Sequence, residues 1–438
     1  MENNCLNWFS KASVYQINPR TFSKDGTIEA VTKELPELQK LGFKIMYLCP
    51  VFKEDDSEDR SFWSTRQKGS KTENPKNPYR MNDYFEIDDE YGTMADLKRF
   101  VSRSHELGMK VVLDLVYLHI GPNADIFKSC PDFAAKNPDG SPKLTQWNFP
   151  YLNYENEGLR EYLYCNMVYY IGAIGADGFR CDVGDEVPLD FWREGTRRIR
   201  AVKPDAIMIN EGVKPEYFSV FDANYCFTWH EALFKFLAGE MTAADIIEIH
   251  QSSYENTPRG KYLLRDMENH DTVTDWPFRV EVKYGSHAME AILALNYTMD
   301  GIPMVYCGNE LADTAHLSMF ANRFHMGAFE VTDRSAGGAI VDRRKSVITK
   351  LNDFQANIPA FSQGGIKWHG PEHESVLAFD RITEDEIVSF VGNFSNRPID
   401  MSLNVTGDIL LSNNMELCGD TIKLDAYGYV IFIASQQA

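Results

Sequence analysis

Short apolar runs of strand character alternate along this chain with stretches in which apolar residues recur at helical spacing. The runs are 13–17, 44–49, 110–116, 176–183, 206–211, 223–227, 263–268 and 302–307. Between the first two, Ile28, Val31, Leu35, Leu38 and Leu41 share a helical face, and Gly42 follows as a stop. Between the second and third, Met94, Leu97, Val101 and His105 repeat the pattern before Gly108. Stripe positions of this kind, His105 included, read as core packing. Eight strand-like runs joined by helices predict an α/β fold, a closed parallel (β/α)8 TIM barrel.

Two segments break the rhythm. From 119 to 155, Pro, Asn, Asp and Gly are scattered among the isolated aromatics Phe127, Phe133, Trp147 and Tyr151. That is too long for a simple connection, so it reads as a short inserted subdomain after strand 3, on the catalytic face of the barrel. From about Ser362 the runs shorten and alternate, at 375–379, 386–390, 399–403 and 428–433, which predicts a C-terminal antiparallel β-sandwich. The expected domains are a barrel over 1–118 and 156–355, an insert over 119–155 and a β domain over 356–438.

Length and composition fit this plan: 438 residues, 44% of them hydrophobic, suffice for a large core plus an appended module. A net charge of −20 argues against nucleic acid or an anionic membrane as partner and suits a neutral ligand such as a carbohydrate. Oligomeric state is not legible. No run approaches a membrane span, and Met1 to Ser10 lacks the basic and apolar regions of a signal peptide. The expectation is a cytoplasmic protein, or a secreted one if a leader has been removed. Cysteines at 5, 49, 130, 165, 181, 226, 307 and 418 show no metal-ligand spacing and read as free thiols, although pairing in space is not visible in sequence.

The candidate chemistry lies at the ends of the strand-like runs. In Gly178-Phe179-Arg180-Cys181-Asp182, period-two geometry puts Arg180 and Asp182 on one face and Cys181 on the other. The guanidinium would orient the carboxylate and keep it ionised, as a glycosidase nucleophile requires. Further acids end other runs, in Asp114-Leu115-Val116-Tyr117-Leu118-His119, Ile209-Asn210-Glu211 and Glu268-Asn269-His270-Asp271. Neighbouring barrel strands lie about 4.7–4.9 Å apart, so Asp182 and Glu211 can face each other at the roughly 5–5.5 Å of a retaining glycosidase. Nearby Asp182 and Asp271 should raise the pKa of Glu211, while Arg180 should hold that of Asp182 down.

In this order, the four acid-bearing segments resemble the four signature regions of the α-amylase family, glycoside hydrolase family 13. Segments 14–22, 82–84, 91–93 and 301–306 add to the likeness. The resemblance implies Asp182 as nucleophile, Glu211 as acid/base and Asp271 as stabiliser of the oxocarbenium-like transition state. It implies Tyr79 as a stacking ring, His119 and His270 as donors to sugar hydroxyls, Arg180 as part of the substrate site, and Asp114 as the partner of Arg180. The implied reaction is retaining hydrolysis of α-glucosidic bonds in α-glucans or malto-oligosaccharides through a covalent glycosyl-enzyme. Alternatives are a transglycosylase or isomerase of the trehalose-forming type, and an inactive carbohydrate-binding relative.

Two departures from the family pattern change the expectation. Leu118 stands where the family carries a calcium-ligating asparagine, and the calcium loop after strand 1 is reduced to Lys24-Asp25-Gly26, so no metal or other cofactor is expected. After Asp182, Val183 to Pro188 lacks the Lys-His pair of many α-amylases, which leaves chain-length preference open. Trp63, Trp147, Trp229 and Trp276 are candidate sugar platforms.

Overall fold

In a computed structural model, which describes residues 8–402 and 407–435, the eight predicted runs are the eight strands of one closed parallel barrel. They are β1 (Val14–Ile17), β2 (Ile45–Leu48), β3 (Lys110–Leu115), β4 (Gly178–Cys181), β5 (Ile207–Asn210), β6 (Ala223–Asn224), β7 (Tyr262–Arg265) and β8 (Ile302–Tyr306). Each strand pairs with its neighbours in sequence, and β8 closes on β1. Alternation along each strand divides the core. Val14, Ile45, Val112, Ile207 and Ile302 fill the barrel interior, whereas Tyr15, Met46, Val111 and Met208 pack outward against the helices.

The helices follow local chemistry. Thr27 caps the helix Ile28–Lys40 by accepting from the Ala30 amide, and Thr93 and Asp96 form a reciprocal capping box for Met94–Glu106. Gly42 and Gly108 follow these helices with φ of 94° and 73°, as stops that need the left-handed region. His105 differs from expectation. Its ring is not in the core; Nε2 lies 2.7 Å from Asp177 Oδ2 just before β4, part of an ion cluster with Lys110 and Lys203.

The connections after β2 and β3 carry the mouth of the barrel. After β2, Phe52–Glu54 pairs with Met81–Ile87 and brackets the short helix Thr65–Ser70. Residues 119–155 hold the helix Asp125–Ser129 and a hairpin of isolated bridges, His119 to Tyr151 and Leu144 to Pro150 among them.

The last barrel helices, Ala339–Asn357 and Pro359–Gln363, lead into an antiparallel module of one six-stranded sheet. Its strands are β9 (Gly365–Trp368), β10 (Val376–Ile382), β11 (Glu386–Asn393), β12 (Ile399–Ser402), β13 (Asp408–Cys418) and β14 (Thr421–Ser435). Tyr427 takes φ 54° within β14, and the halves of β14 on either side of it pair with β11 and β12. The two layers expected of a sandwich are thus made by one folded sheet enclosing Val391, Ile422, Leu424 and Val430, while Phe379, Phe390 and Ile431 pack on the barrel side. The seven described cysteines are free; Cys5 lies outside the described residues. Among the described residues no helix is long and apolar enough to cross a membrane.

Candidate active site

Four strands deliver the predicted side chains to one place. Gly178 is required for this: a Cβ there would stand 2.2 Å from the Ile207 carbonyl oxygen, so only glycine lets β4 and β5 close together. With Cys181 opposite Asn210, the next residues on the two strands are Asp182 and Glu211. Arg180, fully buried, lies between them. Its Nη1 donates to both oxygens of Asp114 (2.8 and 3.0 Å) and to Asp182 Oδ1 (3.1 Å), and its Nη2 pairs with Glu211 Oε1 at 2.6 Å. Asp114 also accepts from the Tyr47 and Tyr79 hydroxyls, so the guanidinium is anchored from behind. Cys181 points into the outer core, as period two demands.

One guanidinium does not balance three buried carboxylates. Burial and the facing Glu211 push Asp182 well above the usual carboxylate range, outweighing Arg180, so the expected depression of Asp182 is overturned. Glu211 moves in the expected direction, raised first by burial and then by Asp271 against the pull of Arg180. Together the two retain one proton above the ordinary carboxylate range. Asp271 goes the other way. Burial would raise it, but His270, Arg66 and Arg180 hold it well below its usual value.

A relay fixes the histidines. Gln16 accepts from the His270 amide and its Nε2 donates to His270 Nδ1, which leaves His270 Nε2–H facing the Tyr79 hydroxyl at 2.7 Å. The Tyr79 ring lies nearly parallel to His270, 17° between planes. Burial lowers the pKa of His270 against the pull of Asp271, and lowers that of His119 to about 4, so the His119 ring is neutral near pH 7. His119 Nε2–H donates to the Tyr79 carbonyl at 2.8 Å. Its donor is therefore spent inside the protein, and Nδ1, an acceptor, is the nitrogen left without a partner.

Val183, directly after Asp182, takes φ 43° and ψ 43°, a left-handed conformation that is costly for a β-branched residue. The strained turn aims the Val183 amide at Glu211 Oε2, 2.8 Å away, tying the two carboxylate strands together. Beyond it, Asp185 accepts from the Val213 and Lys214 amides, and Lys214 Nζ binds the Asp185 carbonyl and Glu186. Lys214 thus brings an ammonium to the loop that lacks the expected Lys-His pair.

These groups frame a cleft of about 480 Å³, with Tyr79, His119, Asp182, Glu211, His270 and Asp271 on its wall. Arg180 and Asp114 stand behind the wall, so Arg180 positions carboxylates rather than touching a bound molecule. Of the four tryptophans, only Trp147 reaches the cleft. Trp229 is wholly buried and donates to Asn296, Trp63 lies under Arg60, and Trp276 packs on Phe234. Sequence reasoning missed Arg66, which pairs with Asp271 at 2.8 Å and donates to Asp275 at 2.8 Å. It sits in a polar stretch without local signal, 209 residues from Asp275.

The residues do not fit the family's calcium. Leu118 is a buried aliphatic side chain whose carbonyl already accepts from Leu152, and the Asp25 carbonyl accepts from the Arg323 guanidinium.

Fold and site together define a (β/α)8-barrel protein carrying three carboxylates around a buried arginine at the carboxyl ends of its strands. The family described as Alpha amylase, catalytic domain, matches residues 12–139 and 143–325, and the chain belongs to that family. Alpha-amylase MalA of Haloarcula japonica is 25% identical over 419 residues, covering 90% of this chain and 57% of the relative. A cyclomaltodextrinase of a Bacillus species is 28% identical over 314 residues, covering 65% of this chain and 52% of the relative. The chain therefore spans little more than half the length of these two relatives. The crystal structure of an alpha-amylase from Lactobacillus plantarum superposes with a TM-score of 0.81 at 22% identity, covering 98% of this chain and 100% of that one.

Proposed function

We propose that this chain is a retaining glycoside hydrolase acting on α-glucosidic bonds of α-glucans or malto-oligosaccharides. The observation that carries the reading is the single buried guanidinium of Arg180 shared by Asp182 and Glu211, with Asp271 on the same cleft. Asp182 attacks the anomeric carbon as the bond to the leaving oxygen breaks, and Glu211 gives that oxygen its proton. Water then attacks the anomeric carbon, surrenders a proton to the Glu211 carboxylate and displaces Asp182. Asp271, held ionised, offsets positive charge developing on the sugar.

The relatives named alpha-amylase and cyclomaltodextrinase support the substrate class. Incubation with maltotriose, followed by proton NMR, is expected to give shorter sugars whose new reducing ends are α-configured before mutarotation. β-Configured ends overturn the double displacement, rearranged sugars alone identify the trehalose-forming type, and unaltered maltotriose identifies an inactive binding protein.

The reaction as proposed needs no metal. Exhaustive chelation is expected to leave turnover and melting temperature unchanged, and a large loss of either overturns that part of the proposal.

A further inference from the structure

An ion pair stands in the wall on one side of the cleft. Arg66, on the helix Thr65–Ser70, bridges Asp271 and Asp275, and its guanidinium carbon lies 5.8 Å from the centroid of the Phe320 ring. Arg66, Asp275 and Phe320 also line a second cavity of about 420 Å³, whose other walls include Gly69, Trp276 and His316. The same three side chains face both spaces, so they form the partition between them.

The topology says which end this is. Glu211, the proposed acid, faces the leaving-group oxygen, and Val213 and Lys214 extend that side from the end of β5. The partition is built from loops after β2, β7 and β8, across the barrel mouth from β4 and β5. It therefore closes the side occupied by the sugar whose anomeric carbon reacts, and by whatever precedes that sugar in the chain.

We infer that Arg66 is a specificity-determining residue: with Asp275 it walls off the glycone side, so that the chain removes short units from non-reducing ends instead of cutting internally. The inference rests on the hydrolase reading above. A salt bridge suits such a wall, because two carboxylates fix a guanidinium that is still one-third exposed.

The test compares p-nitrophenyl maltoheptaoside with its counterpart capped by a 4,6-ethylidene group at the non-reducing end. Turnover is measured in the native protein and binding in Asp182→Asn. The native protein is expected to cleave only the uncapped substrate, and Asp182→Asn to bind it at least tenfold more tightly. Arg66→Ala, alone and on the Asp182→Asn background, is expected to bring both ratios near one. Asp275→Ala, which leaves Asp271 paired with Arg66, should move them the same way even if Arg66→Ala folds poorly. Equal cleavage and equal binding of the two substrates by proteins with Arg66 intact overturn the inference. Absence of turnover with discrimination in binding preserved overturns the hydrolase reading and leaves the wall standing.

Discussion

Asp182→Asn is expected to lower turnover of maltotriose by on the order of 10⁴-fold or more, because it removes the carboxylate proposed to form the glycosyl-enzyme. Binding of maltotriose, followed by calorimetry, should stay near that of the native protein, since the amide keeps the size and shape of the carboxyl. The melting temperature should not fall. Asp182 and Glu211 crowd one guanidinium that Asp114 already occupies, so a neutral isostere relieves repulsion that burial magnifies. Turnover within a few-fold of native would remove Asp182 from the nucleophile's role.

Glu211→Gln is expected to cost about 10²–10⁴-fold on maltotriose, the usual worth of a general acid. The loss should depend on the leaving group. The fluoride of α-glucosyl fluoride departs without a proton, so the first step with that substrate should be nearly spared, and added azide should restore turnover by attacking the glycosyl-enzyme without help from a base. Double inversion then makes the product α-glucosyl azide. A native-like rate on maltotriose would sink the assignment.

The pH profile carries the same information. Glu211 and Asp182 both have raised pKa values, so the pair keeps its last proton above the ordinary carboxylate range. Activity is present while that proton is bound and declines as pH rises through the raised value. That alkaline limb should vanish in Glu211→Gln. Asp271, held low by His270, Arg66 and Arg180, stays ionised across the whole working range and contributes no limb of its own.

The comparison of sequence with structure is clearest at particular residues. Period-two alternation put Arg180 and Asp182 on one face and Cys181 on the other, and the barrel keeps them there. Strand adjacency alone brought Asp182 beside Glu211. The ionisation of Asp182 was misjudged, because a sequence displays the arginine two residues away but not the depth of burial or the second carboxylate across the gap. Trp63, Trp229 and Trp276 looked like Trp147 as letters; loop paths and helix packing decided that Trp147 faces the cleft. His119 carried the right motif, yet the Tyr79 carbonyl, brought by a different loop, consumes its donor.

By itself, then, the sequence determined the eight strands, their order and the acids at their ends. These depend on local periodicity and on a strand's fixed side-chain alternation, which operate over a few residues. Only the tertiary structure decided what encloses the acids. Arg66 closing on Asp271 and Asp275, the Val183 amide turned toward Glu211, and the proton kept between Asp182 and Glu211 all arise where distant loops meet at the mouth of the barrel. Charge balance and cavity shape are properties of that shared space, and no stretch of the chain carries them alone.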